Sequence, residues 1–168
     1  MNYNADYWIR KLDLIKHPEG GYFREVYRSK EIIERGVLPS RYQGGRCFST
    51  SIYFLLSGRD FSAFHRLKSD ETWHFYSGIF LNLYVIDAEG KLSVVKIGND
   101  PERGEVLQYT IPEGSWFAAN PGTENSYSLI GCTVAPGFDF EDFELAGRDS
   151  LVSRFPQHKE LITRFSHR

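Results

Sequence analysis

From Gly21 to Leu145 the chain is a succession of short runs rich in β-branched and aromatic residues, nearly all closed by turn signals, and this spacing restricts the fold more than any other feature. The runs are Tyr22–Arg28, Cys47–Leu56, Phe61–Lys68, Thr72–Tyr76, Phe80–Ile86, Leu92–Ile97, Val106–Ile111, Ser115–Ala119, Tyr127–Val134 and Phe140–Leu145. Ser57-Gly58, Ser69-Asp70, Glu89-Gly90, Pro101 to Gly104, Pro112 to Gly114, Asn120 to Gly122 and Pro136-Gly137 punctuate them. Glycine supplies positive φ and proline presets a turn, so each pair marks a chain reversal. Many short strands at such spacing predict an all-β antiparallel sandwich or barrel rather than a βαβ sheet.

Helical patterns flank this region. Trp8, Leu12 and Ile15 stand at i, i+4 and i+7, predicting a helix over about residues 2–15 that stops before His17-Pro18, because the residue before proline is pushed out of the α region. After Gly147 the pattern turns helical again, with Pro156 placed to open a last helix through Phe165; the expected spans are a barrel over about 20–146 and C-terminal helices over about 149–166. The 168 residues, 41% of them hydrophobic, suffice for one well-packed core, and a single domain over 1–168 is expected.

The 20 basic and 22 acidic residues are spread along the chain, leaving no basic stripe for a phosphate backbone, so nucleic acid is not an expected partner. The opening MNYNADYWIRKLDL carries charges every few residues, and no window approaches the roughly 18 apolar residues of a membrane span. The expectation is a cytoplasmic protein without a membrane partner. Cys47 and Cys132 lack CxxC spacing and read as reduced structural thiols.

The stretch FHRLKSDETWHFYSG, Phe64 to Gly78, concentrates chemistry. Residues two apart in a strand share a face, so Phe61, Ala63, His65 and Leu67 point one way and Ser62, Phe64, Arg66 and Lys68 the other. After the Ser69-Asp70 turn, Glu71, Trp73 and Phe75 form the apolar set, while Thr72, His74 and Tyr76 form the polar one. His65 and Glu71 therefore face the interior and His74 does not. A buried imidazole and carboxylate need each other, water or a ligand, because stranding either costs several kcal/mol as an order of magnitude. The bland reading is a satisfied core histidine held by a glutamate; the functional one is a polar centre of a ligand cavity.

His65, Glu71 and Gly78 match the first cupin motif, G-x5-H-x-H-x3,4-E-x6-G, with Gly58 one residue off its opening glycine. Pro112 and Gly114 in IPEGSWFAAN match the centre of the second, G-x5-P-x-G-x2-H-x3-N. Leu67 stands at the second histidine position and Phe117 at the third. HPEGGYFREVYRS, SIYFLL, FHRLKSDETWHFYSG, IPEGSWFAAN and CTVAPGFDFEDFEL together resemble, in order, the cupin-like family usually catalogued only as a domain of unknown function. The resemblance implies a double-stranded β-helix, the cupin jelly-roll barrel, commonly as a homodimer, with a cavity between the sheets. A catalytic metal site ordinarily takes three protein ligands; His65 and Glu71 are the only aligned pair, so neither metal nor cofactor is expected, and if a metal binds, those two hold it.

Two functions fit. In the first, resembling metal-independent sugar epimerase cupins, the barrel binds a small polar ligand, of carbohydrate or nucleotide-sugar type; His65, kept basic by Glu71, abstracts a proton beside a carbonyl. Tyr53, Tyr22 and Tyr127 are the candidate acids. In the second, a non-catalytic module holds a small metabolite among Trp73, Phe75, Trp116 and Phe117. In either, Glu19 or Arg24 rims the cavity and Arg24 holds a ligand phosphate or carboxylate. A metal-dependent cupin enzyme ranks behind both. SIYFLL is apolar on both faces, and a second subunit is its expected cover.

Overall fold

In the computed structural model, which describes residues 3–167, the first helix is shorter than its apolar stripe suggests. α1 runs Ala5–Lys11, with the Asn4 side chain accepting the Tyr7 N–H at its start. Leu12 caps its end, Asp13 takes a positive φ of 50°, and Ile15 lies in a strand instead of on the helical stripe. The expected start at Asn2 lies outside the described residues, as do Met1 and Arg168.

The strands are β1 (Ile15–Lys16), β2 (Tyr22–Arg28), β3 (Ile32–Ile33), β4 (Arg46–Cys47), β5 (Thr50–Ser57), β6 (Ser62–Arg66), β7 (Asp70–Gly78), β8 (Leu81–Ile86), β9 (Leu92–Ile97), β10 (Glu105–Val106), β11 (Gln108–Ile111), β12 (Trp116–Pro121), β13 (Tyr127–Ala135) and β14 (Glu144–Leu145). One sheet has the order β1-β2-β5-β13-β7-β11 and the other β10-β9-β8-β12-β6-β14, while β3 and β4 form a separate ribbon. Pairing is antiparallel except for the short β9–β10 contact. The expected strand over Phe140–Leu145 is mostly a 3₁₀ turn, Phe140–Asp142: the Asp139 carboxylate accepts the Glu141 N–H and curls the chain before β14 begins.

The two sheets face each other across a core that includes Phe54, Leu56, Trp73 and Ile130 from the first and Leu83, Val85 and Phe117 from the second. Parts of their outer faces are covered by the chain itself. Leu14 packs on Leu55 and Leu129, with Trp8 and Leu12 against them, so the helix-side segment covers the Leu55 end of the outward face of SIYFLL, while Tyr53 stays half-buried beside the exposed Tyr76. On the other sheet, α2 (Arg148–Arg154) and α3 (Lys159–Arg164) bring Leu151 and Ile162 onto Phe64 and Trp116, joined by Phe155 and Phe165. Strands buried on both faces read as continuous apolar runs, which is why β5 and β12 lack a clean polar alternation.

Candidate functional site

The sequence HPEGG folds into the turn that carries the centre of the site. Gly20 and Gly21 take φ of +116° and +71°, values that favour glycine, and a Cβ on Gly20 would collide with the Phe61 carbonyl. This close approach drives Glu19 into the barrel, where the residue is only 5% exposed, whereas sequence placed it on the rim. The Glu19 carbonyl accepts the Ala63 N–H at 2.8 Å and the His167 Nε2 proton at 3.1 Å, tying the turn to β6 and to the C-terminal segment. Gly20→Ala is therefore expected to destabilise the protein by about 1–3 kcal/mol and to displace Glu19; a urea midpoint unchanged from wild type would contradict it.

Glu19 replaces Glu71 as the partner of His65. His65 Nε2 lies 3.1 Å from Glu19 Oε2, and His17 Nδ1 lies 3.4 Å from the same oxygen. Ser62 Oγ donates to Glu19 Oε1 at 2.8 Å. Alternation put Ser62 and His65 on opposite faces, but the pairing of β6 with β12 shifts register between Phe117↔His65 and Ala119↔Ser62, and this bulge turns both onto one carboxyl group.

Hydrogen bonding fixes where the protons sit. His65 Nδ1 lies 2.7 Å from the Ala63 carbonyl, which can only accept, so Nδ1 carries the proton and Nε2 of the neutral ring is an acceptor. Glu19 Oε2 then holds the proton it shares with His65, and Oε1 accepts from Ser62. Burial, reinforced by repulsion from Glu71, raises the Glu19 carboxyl well above its usual range, against the opposing pull of the Ser62 hydroxyl. Burial lowers His65 to about 3, with the Ala63 carbonyl opposing, and His17 to about 4. His65 is thus not the base poised near neutrality that the sequence suggested.

Glu71 comes into the same chamber from β7 and is 8% exposed. Among the described residues neither its Oε2 nor Trp73 Nε1 finds a partner in good hydrogen-bond geometry, although the indole and the Cys132 thiol lie near the carboxyl. Burial raises the Glu71 carboxyl to about 7, the nearby Trp73 indole and Cys132 thiol only partly offsetting it. Cys132 itself is pushed well up by burial, as expected of an inert thiol.

The chamber has a volume of about 260 Å³ and is lined at depth by His17, Glu19, His65, Glu71 and Cys132, with walls of Phe23, Phe54, Trp73, Phe138 and Phe143. Glu25, Arg28, Asp139 and the half-exposed Phe140 stand at the mouth. Half of the phenylalanine and tryptophan rings come from CTVAPGFDFEDFEL, where the alternation of Phe138 and Phe140 breaks at Phe143, and His17 was missed because a histidine before proline in a turn has no pattern to assign it a face.

Several expected site residues lie elsewhere. Tyr53, Tyr22 and Tyr127 pack in the outer cluster around Leu55, with Tyr53 against Tyr76 and Tyr127 bonded to Trp8 and Ser77, so none can deliver a proton at His65. They share β-strands with inward residues, and alternation turns them out. Arg24 is half-exposed and paired with Asp13 at 2.9 Å. Trp116 faces the C-terminal helices, Phe75 packs at the margin of the core, and Phe117 sits behind His65 with ring centroids 4.0 Å apart. Trp73 is the expected aromatic that does line the chamber. His74 points to the outer face, where Nε2 lies 3.3 Å from Thr133 Oγ1.

The four positions at which the motif resemblance places metal ligands do not form a donor set. Leu67 and Phe117 offer no lone pair, and the Phe117 ring occupies the space beside His65. Among the described residues no three His, Cys, Asp or Glu side chains are grouped so that they could hold a metal ion.

Residues 6–146 match the family model Cupin_5, described as Cupin superfamily (DUF985). The uncharacterised protein YML079W of Saccharomyces cerevisiae is 34% identical over 154 residues, 85% of this chain and 76% of that one. A hypothetical protein from Leishmania major superposes with a TM-score of 0.89 at 37% identity, covering 99% of this chain and 100% of the other. Protein SO0799 from Shewanella oneidensis gives a TM-score of 0.88 at 40% identity over 99% of both chains.

Proposed function

This chain belongs to the Cupin_5 family (DUF985) of the cupin superfamily, and from that premise we propose that its barrel carries out acid–base chemistry on a small molecule, an isomerisation or epimerisation beside a carbonyl. The observation that carries the reading is Glu71: a buried carboxyl with one oxygen outside good hydrogen-bond geometry, facing the same chamber as a separate carboxyl, Glu19, that shares a proton with His65.

The two carboxyls have different environments and so different roles. Glu71, with its pKa near 7, is a base at working pH. Glu19, kept neutral, is the acid. The C–H bond beside the carbonyl breaks to Glu71, its electron pair moves onto the carbonyl oxygen, and the Glu19 proton meets that developing charge. For a hydroxy ketone, Glu71 returns its proton to the former carbonyl carbon while the neighbouring hydroxyl gives its proton to Glu19 and becomes the new carbonyl, so the isomer forms and both carboxyls are restored. Phe117 behind His65 and the surrounding rings exclude water, which strengthens each electrostatic contact. At about 260 Å³ the chamber lies below the usual range of about 300–1,000 Å³ for ligand sites. It encloses a single-ring or short-chain molecule with a largely apolar body, and a nucleotide-sugar would have to leave half of itself outside.

Incubating the protein with small cyclic and open-chain ketones in heavy water tests this. Wild type is expected to incorporate deuterium beside the carbonyl of a bound ketone, and Glu19→Gln to slow incorporation by about 10²-fold or more. A ketone that raises the melting temperature without exchange would leave a binding module and sink the enzymatic reading.

A further inference from the structure

The electrostatic balance of the chamber points to the charge its ligand carries. Glu71 helps to raise the Glu19 carboxyl, yet among the described residues no lysine or arginine lines the depth of the cavity. Arg28 at the mouth is already paired: Nε and Nη2 bond both oxygens of Glu25 at 3.0 and 2.7 Å, and Nη1 bonds the Phe138 carbonyl at 3.1 Å. Asp139 adds a further acid beside it. Both imidazoles are neutral, with their Nδ1 atoms used by Ala63 O and by the Glu19 N–H. A buried carboxylate with an oxygen outside good hydrogen-bond geometry lacks a countercharge, and it shares the chamber with aromatic rings, whose faces attract cations.

We propose that the chamber takes an organic cation, a small molecule whose ammonium group pairs with Glu71 Oε2 while its apolar body lies among Phe23, Phe54, Trp73, Phe138 and Phe143. The inference shares with the reading above only that the barrel chamber is the ligand site: an ammonium held on Glu71 Oε2 occupies the carboxyl that the acid–base step uses, so a bound cation blocks that step. An anionic ligand, such as a keto acid or a sugar phosphate, would meet the Glu71 carboxylate in the chamber and, at the mouth, an Arg28 already paired with Glu25 beside Asp139.

Three probes that share a phenyl ring and a two-carbon chain separate the classes: 2-phenylethylammonium, 2-phenylethanol and 3-phenylpropionate, titrated calorimetrically into the full chain at pH 8, where Glu71 is ionised. The ammonium is expected to bind at least tenfold more tightly than the alcohol, with the carboxylate weakest. Glu71→Gln is expected to reduce the ammonium to the level of the alcohol. The wild-type ranking needs no variant to fold. An alcohol that binds as tightly as the ammonium, a carboxylate that binds best, or no binding by any of the three overturns the proposal. Ketone exchange that persists alongside such a result leaves the acid–base reading standing, whereas ammonium binding with no exchange of any ketone removes that reading and keeps this one.

Discussion

Glu71→Gln is expected to lower proton exchange by about 10²–10⁴-fold, the usual loss when a general base is removed, and at the same time to stabilise the protein above neutral pH. The sign follows from linkage. Folding raises the Glu71 pKa from 4.5 to about 7, so between those values the unfolded chain releases a proton that the native chain keeps. Native stability therefore falls as pH rises through that window, and above it the full cost of an ionised carboxylate in the chamber is present. A shift of that size corresponds to about 3 kcal/mol. Glutamine keeps the shape and cannot ionise, so the variant should match wild type near pH 4 and exceed it by up to that amount near pH 8. Urea titrations at the two pH values read this directly. A variant that is less stable at both, with exchange intact, would mean that Glu71 is an ordinary core residue.

The second large effect concerns the wall of the chamber rather than its floor. The segment that supplies Phe138, Phe140 and Phe143 is held by a buried ion pair: Arg46 Nε and Nη2 bond the two oxygens of Asp142 at 2.6 and 2.7 Å, with both side chains below 5% exposure. Lys68 approaches the same carboxylate at 3.3 Å, and Glu141 reaches Arg46 at 3.3 Å. Asp142→Ala leaves a guanidinium buried without its partner and is expected to cost about 3–5 kcal/mol. The double change Arg46→Met with Asp142→Leu removes both charges and should regain most of that loss, because the penalty lies in the unpaired charge and not in the absence of the pair. Denaturant midpoints for the three proteins decide it. A single variant within about 1 kcal/mol of wild type would show that Arg46 finds water or Glu141 at little cost. The aromatic wall depends on this clamp, so probe binding should weaken in the single variant and recover in the double one.

The amount of the site that was legible varied with the kind of signal each residue left. The inward faces of His65, Glu71 and Trp73 were read from two-residue alternation because these residues lie in stretches of β6 and β7 clear of any bulge, where a side chain's face follows from its position. The same rule misdirected Ser62, since one extra residue in the bulge reverses the face of everything beyond it. Glu19 was recognised as a cavity residue but placed at the rim, and His17 was not recognised. Both depend on a turn whose approach to Phe61 is a matter of backbone contact in space. The tyrosines failed for the opposite reason: alternation assigned them no definite face, and chemistry alone nominated them.

What the sequence determined by itself is the β-rich middle with its turns, the positions of the main strands from β2 to β13, helices near both ends, and the inward faces of His65 and Glu71; the short strands β1 and β3 and the 3₁₀ turn at Phe140–Asp142 were not read from it. The features that were read follow from local propensities, turn residues and period-two patterning, all of which are written along the chain. Which carboxyl pairs with which imidazole, which protons they hold, and which rings close around them were decided only by the tertiary structure. Glu19 and His65 are far apart in sequence and meet because a glycine turn, a bulge and two sheets bring them together. Their proton affinities come from the water that this assembly excludes.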